Sequence, residues 1–217
     1  MAAIDSAVAM WIDGSTSKRR LQLSLKRSSN FDWSVAATRL QELFKVPLQP
    51  QQLAVIIVFL TLTKSKATAD PQIIMKAAAE HIETLVGVPS RDTEVAVQRL
   101  FDDALVSRFV DVLTLNVDRH WHNFMLQATR SKVVLYAIDH DQSGDARTTD
   151  AWQFPFELLD NHDIPKSIVA RVEGAVRASD DTHVQQRFAK ARGILGKGPT
   201  TIKQLIQQRS PDLKFMY

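Results

Sequence analysis

Residues 113–141, which read LTLNVDRHWHNFMLQATRSKVVLYAIDHD, form the stretch around which the rest of the chain is organised. Its apolar start predicts a helix end, followed by a polar turn that carries Asp118 and Asn123. Two apolar segments separated by a bend near Thr129-Arg130-Ser131 then predict a β-hairpin that returns the chain to Asp139. The sequence therefore predicts that two carboxylates and one amide converge.

These three groups suit phosphoryl transfer, in which the protein mainly places metal ions and orients an attacking hydroxyl. Asp118 can accept the proton of that hydroxyl, while Asn123 offers a neutral oxygen to a metal ion. Asp139 follows an apolar strand, a rigid support, and offers a charged oxygen. Mg²⁺ prefers one or two carboxylates together with phosphate oxygens that complete an octahedron. The residue types and their spacing therefore favour a magnesium–nucleotide site.

The same residues carry a resemblance to a known family. Residues 118–123 read Asp-Arg-His-Trp-His-Asn, and residues 138–140, after the hairpin, read Ile-Asp-His. This pattern resembles the catalytic loop and metal-binding aspartate of atypical kinases, the HipA-like and phosphoinositide-kinase-like branch of the protein kinase superfamily. Ordinary protein kinases have His-Arg-Asp in place of Asp-Arg-His. The match covers some 30 residues, and Asp141 stands where the family usually has glycine.

The resemblance implies a fold, two cofactors and a set of functional residues. The implied fold is mainly α, a helical kinase-like C-lobe with a small catalytic β-hairpin. The implied cofactors are ATP and Mg²⁺. The implied catalytic residues are Asp118 and His120, and the implied ligands of the metal and nucleotide are Asn123 and Asp139.

The first 30 residues predict a second β-hairpin. Residues 7–12 are apolar, Asp13-Gly14-Ser15 is a turn signal, and residues 21–26 alternate between apolar and polar side chains. Fewer than 50 residues precede the first long helices, whereas a full kinase N-lobe is longer. The kinase interpretation therefore divides the chain into a reduced N-lobe at residues 1–30 and a helical C-lobe at residues 31–217.

Lys26 is the candidate phosphate-binding residue of this reduced lobe. In the kinase interpretation, Lys26 contacts the nucleotide phosphates and Glu42 of the next helix pairs with it. The alternative is a solvated lysine on the polar face of a strand.

The remaining sequence predicts helices throughout. Asp70 and Gly87 are the expected N-cap and C-terminal glycine of one helix. The apolar stripe expected on that helix consists of Ile73, Ile74, Ala77, Ala78, His81, Ile82 and Leu85. The helices are expected at about 34–44, 50–63, 71–86, 90–113 with a break near Asp103, 165–178, 182–195 and 200–209.

Composition narrows the classes of function. A chain of 217 residues with 45% hydrophobic residues can bury one sizeable core. Its net charge of +3 comes from dispersed Lys and Arg, so no nucleic acid partner is expected. The absence of Cys excludes disulfides, thiolate zinc sites and a cysteine nucleophile, and fits a reducing, cytoplasmic location. Residues 53–62 are too short an apolar run to cross a bilayer, so a buried helix is expected there and no transmembrane segment.

The motif leaves two other functional classes open. His120 and His122, with Asp139, could instead bind the metal ion of a hydrolase, in which the metal activates a water molecule. A catalytically inactive kinase-fold scaffold is the other alternative, because the chain has no glycine-rich phosphate loop. In the kinase interpretation the expected partners are a nucleotide, a protein or lipid-head-group substrate, and a chain that completes the small lobe.

Overall fold

A computed structural model of the chain describes residues 6–11, 33–44, 47–63, 70–117, 119, 123–138, 157–197 and 201–208. Most of these residues are helical, which confirms the prediction of a mainly α fold. The elements in chain order are β1 (Ser6–Trp11), α1 (Trp33–Phe44), α2 (Pro50–Leu62), α3 (Pro71–Val86), α4 (Ser90–Thr114), β2 (Phe124–Thr129), β3 (Val133–Ala137), α5 (Glu157–Asp160), α6 (Lys166–Arg177), α7 (Thr182–Leu195) and α8 (Ile202–Gln208). None of these described helices combines the length and apolar character needed to cross a membrane.

The chain divides into two compact units, and α4 contributes to both. The first unit contains the three strands, α1 to α3, and α4 as far as Phe101. The second contains α4 from Asp102 onward together with α5 to α8. The domain boundary predicted at residue 30 falls within residues 12–32, which lie outside the described residues, so it stays a prediction.

The strands form one antiparallel sheet in the order β1-β2-β3. β2 and β3 pair from Phe124 opposite Ala137 to Ala128 opposite Val133. The backbone N–H of Thr129 donates to the carbonyl of Lys132 (2.8 Å), which closes the turn. The β-hairpin predicted within residues 113–141 and its bend are therefore confirmed.

The predicted N-terminal strand exists as β1, and it pairs with β2. Its register shifts between Ser6 and Ala9, and regular pairing runs from Ala9 to Trp11. The second strand predicted for the N-terminal hairpin, residues 21–26, lies outside the described residues. The N-terminal segment thus contributes a strand to the same sheet as the central hairpin.

Helix α2, in the first unit, is buried along most of its length. Every residue from Gln52 to Leu60 is buried, as the all-round apolar sequence predicts. The Gln52 side chain accepts from the backbone N–H of Gln49 (2.9 Å) and donates to the carbonyl of Thr129. One polar side chain therefore both caps α2 and ties it to the turn of the hairpin.

The ends of α3 follow prediction, whereas its buried face does not. Asp70 accepts from the backbone N–H of Gln72 (2.9 Å), and Gly87 has a positive φ of 69°. The predicted stripe is right at Ile82, which is buried, but wrong at Ile73, which is 68% exposed, and at His81, which is also exposed. The buried face carries Pro71, Met75, Ala79 and Ile82. These positions form one line along the helix, and the small side chain of Ala79 permits close approach where α3 contacts α2.

Helix α4 runs without interruption for 25 residues. The break predicted near Asp103 is therefore wrong. No Gly or Pro occurs between Ser90 and Thr114, so nothing in the sequence interrupts the backbone hydrogen bonds. Asp103 instead binds Arg171 of α6 (2.7 Å). The last three predicted helices are confirmed as α6, α7 and α8.

Candidate functional site

Helix α4 ends in a sharp reversal just before the predicted catalytic loop. Leu115 follows the helix with a φ of 56°, and the backbone N–H of Asn116 donates to the carbonyl of Asp111 (2.9 Å). This hydrogen bond is typical of a Schellman motif at a helix end. The left-handed position of such a motif, occupied here by Leu115, usually carries glycine. The left-handed conformation costs a residue with a side chain about 1–2 kcal/mol. Burial of a leucine side chain contributes about 1.5–3 kcal/mol, enough to offset that cost, and Leu115 is fully buried.

The carboxylate of Asp111 binds two side chains that follow this helix end. Its Oδ1 accepts from the side-chain amide of Asn116 (3.2 Å). Arg119 donates from Nε to Oδ2 (3.0 Å) and from Nη2 to Oδ1 (3.0 Å), a bidentate arrangement. Asp111, Asn116 and Arg119 are all buried. Bidentate Arg–carboxylate pairs restrict both distance and orientation, so the residues on either side of Asp118 are held by one carboxylate.

Further charged groups surround this pair within the second unit. Arg108, one turn before Asp111, donates from Nε to Oδ1 of Asp160 (2.9 Å) and approaches Oδ2 of Asp111 (3.6 Å). Arg187 of α7 donates to the carbonyl of Leu113 (3.0 Å). That carbonyl belongs to the last turn of α4, where acceptors lack helical partners and a cation is favoured. Buried charged side chains of both signs thus bind the last turns of α4 to α5 and α7.

Asn123, a predicted metal ligand, lies at the base of the central hairpin in the first unit. Its side chain is buried, and its backbone carbonyl accepts from the backbone N–H of Ile138 (2.9 Å). The pairing of β2 with β3 continues directly from this bond. The hairpin therefore fixes Asn123 opposite Ile138.

The other predicted site residues lie outside the described residues. They are Lys26, Asp118, His120, His122 and Asp139. Glu42, proposed as the partner of Lys26, accepts from Arg39 (2.9 Å) on an exposed part of α1. Within the described ranges, no three His, Asp or Glu side chains are grouped as a metal site requires. The roles assigned to these residues stay predictions.

Sequence reasoning missed the buried charges. Residues 104–115 read ALVSRFVDVLTL, and in this otherwise apolar segment Arg108 and Asp111 are three residues apart. Charged residues at that spacing share one helix face, so buried ionic partners could have been anticipated. Asp160, the distant partner of Arg108, and Arg187, which donates to the carbonyl of Leu113, carry no comparable local signal.

Comparison with known proteins gives no information on the family or the function of the chain. No family model, curated protein sequence or solved structure matches the chain. The likeness to atypical kinases therefore rests on the sequence motif within residues 118–140.

Proposed function

We propose that this chain is a kinase-like phosphotransferase that uses ATP and Mg²⁺ to phosphorylate a hydroxyl group. The preferred acceptor is a protein hydroxyl, and a lipid head group is the second choice. In this proposal Asp118 accepts the hydroxyl proton within a loop that includes His120. Asn123 and Asp139 hold the Mg²⁺–nucleotide complex, and Lys26 contacts the phosphates.

The observation that supports this proposal is the anchoring of Asn123. Asn123 and Ile138 face each other at the base of the hairpin, joined by a backbone hydrogen bond of 2.9 Å. Asp139 is the next residue after Ile138, and consecutive Cα atoms lie about 3.8 Å apart. The covalent link to Ile138 limits how far the backbone of Asp139 can lie from Asn123, and the proposal requires one amide and one carboxylate because Mg²⁺ prefers few protein oxygens plus phosphate oxygens. The expected distance between the two side chains is within about 6 Å, since each must reach one cation.

A calorimetric titration of the full chain with ATP, with and without Mg²⁺, tests the nucleotide site. Saturable binding that requires Mg²⁺ and is lost in Asn123→Ala and in Asp139→Asn supports the proposal. The matched control is Asp103→Asn, which changes an exposed ion pair and should bind normally. Absence of binding would favour the scaffold or a nucleotide site that needs another chain to complete it. Metal-dependent hydrolysis that needs His120 and His122 would favour the hydrolase.

Replacement of Asp118 tests the chemical step separately. Asp118→Asn retains the shape and removes the charge, so turnover of Mg·ATP should fall by about 10²-fold or more while nucleotide binding survives. Normal turnover by this variant would exclude Asp118 as the base.

We also propose that the chain is completed by a second chain or by further segments at its nucleotide site. Phosphoryl transfer needs the phosphates held from both sides, and this sequence offers only Lys26 and a short N-terminal hairpin on one of them. The pure chain should therefore transfer phosphate weakly or not at all. Robust transfer by the pure chain, abolished by Lys26→Met, would contradict this and show that the hairpin suffices.

A further inference from the structure

Helix α3 exposes a row of side chains that carry no acidic group, lysine or arginine. Ile73, Ala77, His81 and Leu85 are four residues apart, so they form one ridge along the helix, here called the α3 ridge. All four are exposed, Ile73 to 68% and Leu85 to 43%. A different face of α3 packs against α2. The α3 ridge therefore takes no part in the core of the first unit.

Another exposed apolar side chain lies near the start of this ridge. Gln72, the residue before Ile73, donates to the side chain of Gln98 on α4 (2.6 Å), so the two helices lie side by side there. Val95, one turn before Gln98, is 52% exposed. Exposed apolar side chains that lie close together mark interaction surfaces, whereas singly scattered ones are ordinary.

The α3 ridge is complementary to a second copy of itself. When two α3 helices pack antiparallel about a twofold axis level with residue 79, Ile73 faces Leu85 of the second copy at each end. At the centre Ala77 faces His81 of the second copy, and the small alanine leaves room for the imidazole. Contacts of this self-complementary kind, about a twofold axis, are the commonest among homo-oligomers. A second copy therefore supplies the matching order of side chains.

Charged residues near the ridge favour the antiparallel over the parallel arrangement. Lys76 lies in the first half of α3 and Glu83 in its last turn, and both are exposed. The antiparallel arrangement brings Lys76 beside Glu83 of the second copy, whereas a parallel one brings Lys76 beside Lys76. Opposite charges at the edge of an interface fix its orientation, and like charges are unfavourable there.

We propose that the α3 ridge is the contact surface of a homodimer, in which the α3 helices of two copies pack antiparallel. This inference does not depend on the proposed phosphoryl transfer. One pair of helices buries less than the roughly 1,200 Å² at the lower end of stable interfaces. The dimer should therefore be weak, with a Kd between about 10 µM and about 1 mM.

Sedimentation velocity of the full chain, from about 5 µM to about 1 mM, measures this equilibrium. Ile73→Glu places a charge at both ends of the contact and should raise the Kd by about 10-fold or more. The control is Thr38→Glu at an exposed position of α1, which should leave the Kd unchanged. Both positions are exposed, so both variants should keep the melting temperature measured at low concentration. A chain that stays monomeric throughout, or equal dimerisation of the two variants, overturns the proposal.

Charge reversal tests the orientation. In the antiparallel dimer, Lys76→Glu and Glu83→Lys should each raise the Kd by about 3-fold to 5-fold, and the double variant should restore it. In a parallel contact each change exchanges one pair of like charges for another, so the Kd should stay the same. Single variants without effect therefore overturn the antiparallel arrangement.

Disulfide trapping tests the register, and the chain suits this method because it contains no Cys. A mixture of Ile73→Cys and Leu85→Cys should form the mixed disulfide, because the two positions face each other. Each variant alone should cross-link only slowly, since the two ends of the ridge are about 18 Å apart along the helix. Thr38→Cys mixed with Leu85→Cys gives the background rate. A mixed disulfide that forms no faster than this background, or faster linkage of Ile73→Cys with itself, overturns the proposal.

Discussion

The two units differ in the kinds of side chain that they bury. In the first unit α2 is buried along almost its whole length, and all but one of its buried side chains are apolar. In the second unit the end of α4 buries Arg108 and Asp111, which bind Asp160 and Arg119. Apolar burial is non-directional and scales with the area removed from water, whereas a buried ion pair is favourable only in one geometry. The first unit therefore depends mainly on apolar packing, whereas the second combines an apolar core with buried charges whose orientation matters.

The sharpest test of this difference removes one charge from the second unit. Asp111→Asn removes the buried carboxylate that binds the guanidinium of Arg119 in a bidentate arrangement, so the free energy of unfolding should fall by about 3–5 kcal/mol. Asp103→Asn breaks a pair whose side chains are 56% and 30% exposed, and should cost less than about 1 kcal/mol. Urea denaturation followed by circular dichroism measures both changes. Equal losses in the two variants would remove the distinction.

A second test removes volume from the first unit. Ile57→Ala in α2 should lower the free energy of unfolding by about 2–5 kcal/mol, because it leaves a cavity in an apolar core. The matched control is Ile73→Ala in α3, where a 68% exposed side chain should change stability by less than about 0.5 kcal/mol. A large loss in the control would show that α3 buries the face predicted from its sequence.

A third test addresses a helix end in the first unit, where charge should matter little. Asp70→Ala removes the side chain that accepts from the backbone N–H of Gln72 and should cost about 1 kcal/mol. Asp70→Asn retains a capping oxygen and should cost much less. Thermal denaturation of the two variants gives the comparison. Equal losses would mean that the charge, rather than the cap, carries the effect.

The smallest expected effect concerns the corresponding cap in the second unit. The backbone N–H groups of Val184 and His183 hold the pKa of Asp181 below its ordinary value. A depressed pKa in the folded state contributes stability above the unfolded pKa, and that contribution is lost as pH falls through the folded pKa. The urea midpoints of the unchanged chain and of Asp181→Asn should therefore converge as the pH falls below about 5. Parallel curves over that range would exclude the effect.

Local signals in the sequence account for most of the elements. Pro50, the Asp70 cap and Gly87 mark helix ends through backbone chemistry that depends only on neighbouring residues, and all three predictions are confirmed. The hairpin bend after Thr129 is confirmed for the same reason. The break predicted near Asp103 was wrong, because two adjacent acidic residues mark a polar helix face as readily as a helix end.

Tertiary packing decided which faces and which charges are buried. The sequence of α3 allows two apolar lines, and contact with α2 selects the one through Met75 and Ala79 over the one through Ile73. The residues that meet Asp111 include Arg119, eight positions away, and Arg108, whose other partner Asp160 lies 52 positions further along the chain. Helix and turn formation depend on interactions within a few residues, so a sequence can specify them directly. The partner of a buried charge depends on how distant elements pack, and only the folded chain determines it.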